Sequence, residues 1–228
     1  MSPRAAKKHP SKQAVKVAVD NCIFTVINGE LNILLIQMKK QPFASVWALP
    51  GGLIFDDEPL DVAAKRILQE QTGVSNVYLE QLFTFGDAAR DPFGRVVSVA
   101  YMALIPSASV GLQVSEKYGG VRWWPFHRLP KLAYDHNSIA AYGKQRLEWK
   151  VEYTNVAWSL LPSQFVLTEL QTVYEAILGR ELDKRNFRKK ILKLKLIEPV
   201  GKRVAKGAHR PAMLYRFRTR TPKIVEIL

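Results

Sequence analysis

Hydrophobic and polar residues alternate through the first part of the chain in a way that predicts β-strands. Val15, Val17 and Val19 alternate with polar or small residues, and the apolar run continues to Ile27. Asn28–Gly29 then predicts a tight hairpin turn, because both residues tolerate positive φ. Further strands are predicted at four apolar segments, residues 31–36, 77–85, 96–105 and 121–125.

Two segments in this part have helical features instead. Apolar residues recur three and four positions apart between Leu60 and Leu68, Pro59 suits a first helical turn, and Gly73 can end the helix. A second helix is predicted over residues 138–150. Strands mixed with helices indicate an α+β fold or an α/β sandwich.

After Leu161–Pro162 the pattern becomes that of a small helical domain. A short extended segment leads to a helix for which Thr168 and Gln171 predict a capping box, and Gly179 predicts its end. Asp183 predicts the N-cap of a second helix, residues 184–195.

The order of the remaining elements completes the prediction for this domain. A strand at 196–200, a basic loop punctuated by glycine at 201–211 and a returning strand at 213–217 follow the two helices. This order is typical of a winged helix-turn-helix domain, with helix 138–150 or part of it as its first helix.

Composition excludes several classes of protein. The chain has 228 residues, of which 47% are hydrophobic, so it can bury a core and fits one large or two small domains. A single cysteine, Cys22, excludes a disulfide framework and a Cys-rich zinc site. No apolar run approaches the ~18 residues of a membrane span, and the basic N-terminus lacks the apolar stretch of a secretory signal. We therefore expect a cytoplasmic protein with no membrane partner.

The net charge of +14 is unevenly distributed. Residues 1–12 carry +4, residues 13–153 are neutral, and residues 154–228 carry +10. We predict boundaries at these points: a disordered basic arm, a neutral body and a basic domain. A basic domain beside a neutral body favours a nucleic-acid partner, although a lysine-rich solvated surface would give the same count.

The predicted second helix of the basic domain has an apolar stripe, and its polar residues lie outside this stripe. Arginine and lysine can read guanine edges, asparagine can read adenine, and other basic side chains neutralise phosphates. We therefore predict that the DNA-binding residues are Arg185, Asn186, Arg188 and Lys189 of the helix and Lys202, Arg203, Lys206, His209 and Arg210 of the loop.

The neutral body contains a motif with specific spacing. Its matching residues are Gly52, Glu58, Arg66, Leu68, Glu70, Gly73 and Val74. The segment resembles the Nudix box, G-x5-E-x7-R-E-U-x-E-E-x-G-U with U apolar, and the preceding residues 47–51 resemble its usual lead-in. The resemblance implies a Nudix fold for residues 13–153, which is an α+β fold in the form of an α/β/α sandwich.

Two positions depart from this motif. In Nudix enzymes the positions of 67, 70 and 71 carry glutamates that bind Mg²⁺ or Mn²⁺ on one helix face. Here they are Ile67, Glu70 and Gln71. We therefore expect no catalytic residues, no cofactor and no metal site, unless Glu70 retains one. Mg²⁺ would be a cofactor only if hydrolase activity remained.

The segment before the strand at 96–105 suggests where a small molecule binds. The residues Arg90-Asp91-Pro-x-Gly-Arg95 resemble a segment of ADP-ribose-type Nudix proteins, and arginine can pair bidentately with phosphate. Arg90 and Asp91 could equally form an ion pair that braces the turn. We predict effector-binding residues at Arg90, Asp91 and Arg95, with Trp47 stacking on a base, although a tryptophan in a strand is more commonly a core residue.

The combination of a degenerate Nudix box and a basic winged helix resembles the NrtR-type Nudix-related transcriptional regulators over about residues 15–218. The second half of the resemblance rests on residues 186–190 and 209–215. It implies a homodimer whose Nudix part binds a small effector, ADP-ribose-like or a sugar such as arabinose, and whose winged helix binds a palindromic operator in double-stranded DNA. It also implies control of NAD-cofactor metabolism or pentose use.

We therefore expect an effector-responsive repressor that does not hydrolyse its effector. Two alternatives stay open. The first is an active Nudix hydrolase that cleaves ADP-ribose or a related nucleoside diphosphate, with Glu70 and a base from outside the helix. The second is an RNA-binding protein, which the lack of exposed aromatic residues among the basic ones of the helix disfavours.

Overall fold

The computed structural model describes residues 14–73, 75, 77–106, 117–204 and 211–228. The predicted arm at 1–12 lies outside these residues. The described strands are β1 (Lys16–Ile27), β2 (Glu30–Gln37), β3 (Trp47–Ala48), β4 (Gly51–Leu53), β5 (Tyr78–Phe85), β6 (Val96–Leu104), β7 (Gly120–Pro125), β8 (Phe165–Val166), β9 (Ile197–Val204) and β10 (Ala212–Phe217). The described α-helices are α1 (Leu60–Thr72), α2 (His136–Tyr153), α3 (Leu167–Leu178) and α4 (Lys184–Lys193).

The first seven strands form one mixed sheet. Its order is β3-β2-β1-β6-β5, with β4 paired to β1 and β7 paired to β2. β1 and β6 run parallel, whereas β1 and β2 form the predicted hairpin, in which Asn28 and Gly29 have φ values of 52° and 80°. Residues 18–26 of β1 are all buried, since helices cover both faces of the sheet.

Each face of this sheet packs against a different helix. On one face Val19 and Val99 pack against Ile67 of α1. On the other face Cys22 and Phe24 belong to the core that contains Ile139 and Leu147 of α2. The alternation of side chains along β1 therefore supplies both cores, and the predicted α/β/α sandwich is confirmed.

The last three strands and helices α3 and α4 form the predicted winged helix. Its sheet has the order β8-β10-β9. Phe187 of α4 packs on Tyr174 of α3, with ring centroids 5.2 Å apart. Gly179 ends α3 with φ of 65°, and the side chain of Asp183 accepts a hydrogen bond from the Asn186 N–H at 2.7 Å, as its predicted N-cap role requires.

Three sequence-based predictions for this half need correction. Helix α3 begins one residue before Thr168, and its capping interaction is a hydrogen bond from the Val166 N–H to the Glu169 carboxylate, so the predicted Thr168–Gln171 capping box is wrong. Helix α4 ends at Lys193, because Lys195 adopts a left-handed conformation with φ of 53°. Strand β9 continues to Val204, since its last residues pair with β10 across the predicted loop.

The two halves share one hydrophobic core. Helix α2 packs on the large sheet and also on α3, and α3 packs on β2. A single cluster of buried residues contains Phe24 of β1, Leu147 of α2 and Tyr174 of α3. Helix α2 therefore packs against both halves of the molecule. The predicted domain boundary at residue 153 stays a prediction. No helix in the described part of the chain is long and apolar enough to cross a membrane.

Candidate functional site

A cavity opens beside the Nudix-type segment, where β1 and β4 meet the loop before β6 and the start of α2. Its volume is about 570 Å³ when its open mouth is included. The side chains that give it chemical character are Asp20, Arg90, Asp91, Tyr118, Tyr134 and His136. The remaining lining is mainly small and apolar, with Gly51 and Gly52 of β4 on one wall.

Asp20 provides a buried carboxylate at this cavity. Its Oδ2 accepts hydrogen bonds from Ser98 Oγ at 2.5 Å and from an Arg90 guanidinium nitrogen at 3.2 Å. A Cβ atom on Gly51 would lie 2.0 Å from Asp20 Oδ1, so no larger residue fits at position 51 unless the carboxylate moves. The glycine in the predicted lead-in therefore allows β4 to pass directly over Asp20.

The guanidinium of Arg90 is held between two carboxylates. Its side chain is only 3% exposed, and it donates to Asp135 at 2.9 and 2.7 Å as well as to Asp20. Burial alone would lower the pKa of Arg90, but the hydrogen bond and charge of Asp135, together with Asp20, raise it above its usual value. The ion-pair interpretation of Arg90 is therefore present in the structure, with Asp20 and Asp135 as partners instead of Asp91.

His136, the first residue of α2, completes this polar cluster. Its Nδ1 accepts a hydrogen bond from the Leu49 N–H at 2.9 Å, and its Nε2 lies 3.5 Å from Asp20 Oδ1. Complete burial lowers the pKa of His136. The imidazole is therefore neutral at pH 7, with its proton on Nε2 directed towards Asp20.

The other predicted effector-binding residues have different positions. Asp91 lines the cavity and accepts a hydrogen bond from the Phe93 N–H. Arg95 donates to the carbonyl oxygens of Gly86 and Asp87, so it fixes the loop that carries Arg90. Trp47 packs edge-on against Trp124 in the core, with centroids 5.5 Å apart, and it is not among the residues that line the cavity.

Sequence reasoning assigned no role to Asp20, Tyr118 or Tyr134 of this cavity. Tyr118 lies in a loop where neither periodicity nor a motif marks it, whereas Tyr134 belongs to the segment 133–136, which resembles the regulatory relatives of Nudix proteins. Burial raises the pKa of Tyr118 to about 12, so its hydroxyl remains a hydrogen-bond donor at neutral pH. Asp20 had a usable signal, since it is the one acidic residue in a strand of mainly apolar residues.

The residues of the Nudix-type segment form a structural ion pair instead of a carboxylate cluster. Arg66 donates to both oxygens of Glu58, at 2.6 and 2.7 Å, and this hydrogen bonding lowers the pKa of Glu58. Arg66 also lies 3.3 Å from the carboxylate of Glu70, and the Glu70 side chain is 57% exposed. Gly52 of β4 lies close to Ile67 of α1, and Gly73 ends α1 with φ of 74°. Val74 lies outside the described residues.

The donor set of this segment does not suit the divalent cation that the resemblance implies. Ile67 is buried in the apolar cluster under α1, and the Gln71 amide exchanges two hydrogen bonds with the Gly51 backbone, at 3.1 and 2.9 Å. Glu70 is thus the one carboxylate among the three positions. Within the described ranges, no group of three or more His, Cys, Asp or Glu side chains could hold a metal ion.

The second candidate surface is the outer face of α4. Phe187 and Ile191 are buried, whereas the predicted DNA-binding residues Arg185, Asn186 and Lys189 are exposed. Arg188 is half-buried, and its guanidinium donates to the Thr168 hydroxyl of α3 at 2.9 Å. Three predicted residues are therefore free to contact a nucleic acid, and the fourth is oriented by the neighbouring helix.

The predicted loop residues fall into two groups. Lys202 and Arg203 are exposed on strand β9, so they belong to the paired base of the wing. Lys206, His209 and Arg210 lie outside the described residues.

Two family comparisons match the two halves of the chain. The family described as NUDIX domain matches residues 17–143, and the family described as NrtR DNA-binding winged helix domain matches residues 157–217. Helix α2 thus lies entirely outside the matched winged helix, and the predicted first helix of that domain overlaps the end of the NUDIX match instead.

Individual proteins with similar sequences and structures agree with this division. A protein of Acinetobacter baylyi, named ADPR responsive transcriptional repressor NtrR, is 40% identical over 205 residues, which cover 88% of this chain and 81% of that protein. The crystal structure of Shewanella oneidensis NrtR with a 27mer DNA matches with a TM-score of 0.79 and 35% identity, over 89% of this chain and 93% of that one. The NUDIX domain of the same NrtR, crystallised with ADP ribose, matches with a TM-score of 0.54 and 35% identity, over 63% of this chain and 95% of that one.

Proposed function

This chain belongs to the NUDIX domain family and carries an NrtR-type winged helix, and on that basis we propose that it is an ADP-ribose-responsive transcriptional repressor. The protein binds double-stranded DNA through the winged helix and senses the metabolite through the Nudix cavity. The repressor from A. baylyi, which is similar over most of both chains, supports this function.

The observation that carries the proposal is that the polar face of α4 and the cavity at Asp20 belong to two halves that share one hydrophobic core. The exposed polar face of α4 carries Arg185, Asn186 and Lys189, which suit base edges and phosphates. The cavity at Asp20 lies in the other half of the same packed molecule. Such an arrangement lets a small molecule influence DNA binding, provided that its affinity differs between the DNA-competent and incompetent states.

ADP-ribose is the effector that we favour over a free sugar. The NUDIX domain of S. oneidensis NrtR, with 35% identity, was crystallised with ADP ribose. In the present chain, Asp20 and Asp91 offer carboxylate oxygens that could accept hydrogen bonds from ribose hydroxyls, and Tyr118 offers a hydroxyl donor. Arg90 can contact a phosphate only if it releases part of its bonding to Asp20 and Asp135.

The Nudix cavity in this proposal binds its ligand without hydrolysing it. Metal-assisted attack on a diphosphate needs clustered carboxylates to hold the cation and lower the pKa of a water. Ile67 supplies no ligand, and both ends of the Gln71 amide are engaged by Gly51. Incubation with ADP-ribose and Mg²⁺ or Mn²⁺ should therefore release no AMP. Robust AMP release would favour the hydrolase alternative.

Fluorescence anisotropy tests the DNA-binding part directly. A duplex from the region upstream of the protein's own gene should bind much more tightly than a random duplex of equal length, at physiological salt. Saturating ADP-ribose should change this affinity by about 5- to 150-fold, whereas ribose 5-phosphate or arabinose should not. Equal affinity for both duplexes would rule out an operator-specific regulator.

The remaining features of the proposal follow from operator binding. A palindromic operator is recognised by two winged helices related by two-fold symmetry, so the active species is a homodimer. Its place of action is the cytoplasm, where a bacterial repressor meets its operator. Sedimentation of the protein alone and with one operator duplex should give two protein chains per duplex.

A further inference from the structure

Helix α2 extends from the cavity to the winged helix without interruption. At its first turn, Asp135 holds Arg90 and His136 faces Asp20, so this end is part of the cavity wall. The helix is buried along one side from Ile139 to Val151. Its 18 residues correspond to a length of about 27 Å. A shift of the first turn can therefore be transmitted over this distance as a rigid-body motion.

The last turn of α2 is bound to residues 218–228, here called the terminal segment. The N–H groups of Val225 and Ile227 donate to the carbonyl oxygens of Tyr153 and Glu152, at 2.9 and 2.7 Å. Immediately after the helix, Asn155 exchanges hydrogen bonds with residues 221 and 223. These contacts fix the terminal segment to the helix that begins at the cavity.

The same segment also contacts the candidate recognition helix. Ile227 is 1% exposed and belongs to the core cluster that contains Phe187 and Ile191 of α4. Ile227 and Leu228 line an open cavity together with Asn186 and Lys190 of α4. The terminal segment thus touches the end of α2 and the helix whose outer face carries the predicted DNA-binding residues.

We propose that the terminal segment couples the effector cavity to the recognition helix α4. In this proposal α2 transmits the motion from the cavity to the terminal segment, and Ile227 transmits it to α4. This inference rests on the proposed function. An effector that changes the Arg90–Asp135 contact moves the first turn of α2, the terminal segment follows its last turn, and Ile227 changes the position of α4. Ile227 is a positioning residue, because it is buried in the core beside α4 and does not line the effector cavity.

The test compares Ile227→Ala with Ile224→Ala in the full chain. Both changes remove an isoleucine from the terminal segment, but Ile224 is 88% exposed, so its side chain contributes no packing. Anisotropy with the upstream duplex gives the ratio of dissociation constants with and without saturating ADP-ribose. We expect Ile227→Ala to reduce this ratio by at least about threefold towards 1, and Ile224→Ala to leave it unchanged. The affinity for ADP-ribose in the absence of DNA should stay within about twofold for both.

Hydrogen exchange in the wild-type chain gives a readout that needs no variant. Saturating ADP-ribose should change the exchange rates of the Val225 and Ile227 amides and of the α4 amides, since both groups belong to the coupled unit. If Ile227→Ala does not fold, Ile227→Val should show a smaller reduction of the same ratio.

The outcomes separate this inference from the proposed function. A wild-type protein whose operator binding ignores ADP-ribose would overturn both. A responsive wild-type protein would overturn only the coupling role if Ile227→Ala kept the full ratio, or if exchange in the terminal segment were unaffected by ADP-ribose.

Discussion

At the residue scale, the side chain of Gln71 forms two hydrogen bonds with the backbone of Gly51, one as acceptor and one as donor. A carboxylate at this position could accept from the Gly51 N–H but would face the Gly51 carbonyl oxygen with no hydrogen to donate. The amide therefore stabilises β4 against α1 at the position where Nudix enzymes carry a glutamate.

The variant Gln71→Glu should destabilise the protein by about 1–3 kcal/mol, because it leaves the partly buried Gly51 carbonyl oxygen facing a buried carboxylate. The loss should be greater at pH 8 than at pH 5, since burial raises the pKa of a carboxyl group and favours its neutral form. Urea unfolding at both pH values measures the effect. AMP release from ADP-ribose should stay absent, because Ile67 still supplies no ligand.

Gln69→Glu is the matched control for this change. Gln69 lies on the exposed side of the same helix, so the same chemical change there should alter the free energy of unfolding by less than about 0.5 kcal/mol. Equal effects at both positions would mean that the Gly51 pairing contributes nothing to stability.

His136 gives the protein a predictable dependence on pH. Burial lowers the pKa of His136 below 6.5 in the folded chain, so the unfolded chain binds more protons between about pH 5 and 7. The free energy of unfolding should therefore fall as pH decreases through this range, by up to about 1.4 kcal/mol per pH unit.

Replacing His136 should flatten this pH profile. The variant His136→Asn keeps an acceptor for the Leu49 N–H but has no group that titrates, so urea unfolding at pH 7, 6 and 5 should give a shallower slope. His127→Asn removes an exposed imidazole instead and should leave the slope as in the wild type. An unchanged slope in His136→Asn would show that other groups cause the pH dependence.

The sequence predicted which residue types form the site, but it did not predict which of their side chains contact one another. The spacing from Gly52 to Gly73 identified the Nudix-type helix, and the loss of the glutamates at 67 and 71 followed from residue type alone. The pairing of Arg90 with Asp20 and Asp135 could not be predicted, because these residues are 70 and 45 positions apart and only the fold brings them together.

At the scale of elements, α4 combines a buried stripe with an exposed polar face. Arg188 lies between the two, and its hydrogen bond to Thr168 of α3 restricts the direction of its guanidinium. This bond couples the orientation of a predicted DNA-binding residue to the packing of two helices.

The variant Arg188→Ala should weaken operator binding by about 1–3 kcal/mol, and if the guanidinium contacts a phosphate it should also reduce the salt slope by about one. Thr168→Val removes the hydroxyl but keeps the charge, so we expect weaker binding with an unchanged slope. Anisotropy across a series of salt concentrations separates the two effects. Lys65→Ala, an exposed cation on α1, should change neither quantity.

Element boundaries show where local signals were sufficient. Asp183 and Gly179 predicted the correct start of α4 and end of α3, because a cap depends only on neighbouring residues. The extension of β9 through Lys202 and Arg203 depends on pairing with β10, which a glycine-rich basic segment does not reveal. The predicted cap of α3 failed for a different reason: its N-cap is the apolar Val166, which capping preferences do not favour, and Glu169 supplies the acceptor.

At the scale of the whole molecule, both halves contribute to one continuous core. Phe24 of the large sheet, Leu147 of α2 and Phe187 of α4 belong to the same cluster of buried residues. Two separate charge domains were evident in the sequence, but a shared core was not, because it requires α2 to pack on both the large sheet and α3. We expect unfolding of the chain to be a single cooperative transition.

The variant Phe187→Ala tests this cooperativity. It removes a buried ring from α4 and should lower the free energy of unfolding by about 3–5 kcal/mol. Four of the five tryptophans lie between residues 47 and 149, before the winged helix, so tryptophan fluorescence reports mainly the other half of the molecule. If the core is shared, the urea transition seen by tryptophan fluorescence should shift as far as the one seen by circular dichroism. Leu192→Ala, at a 46% exposed position of the same helix, should shift both only slightly. A tryptophan transition that stays in place while α4 unfolds would mean that the two halves unfold independently, and a rigid connection between the cavity and the recognition helix would then lose its structural basis.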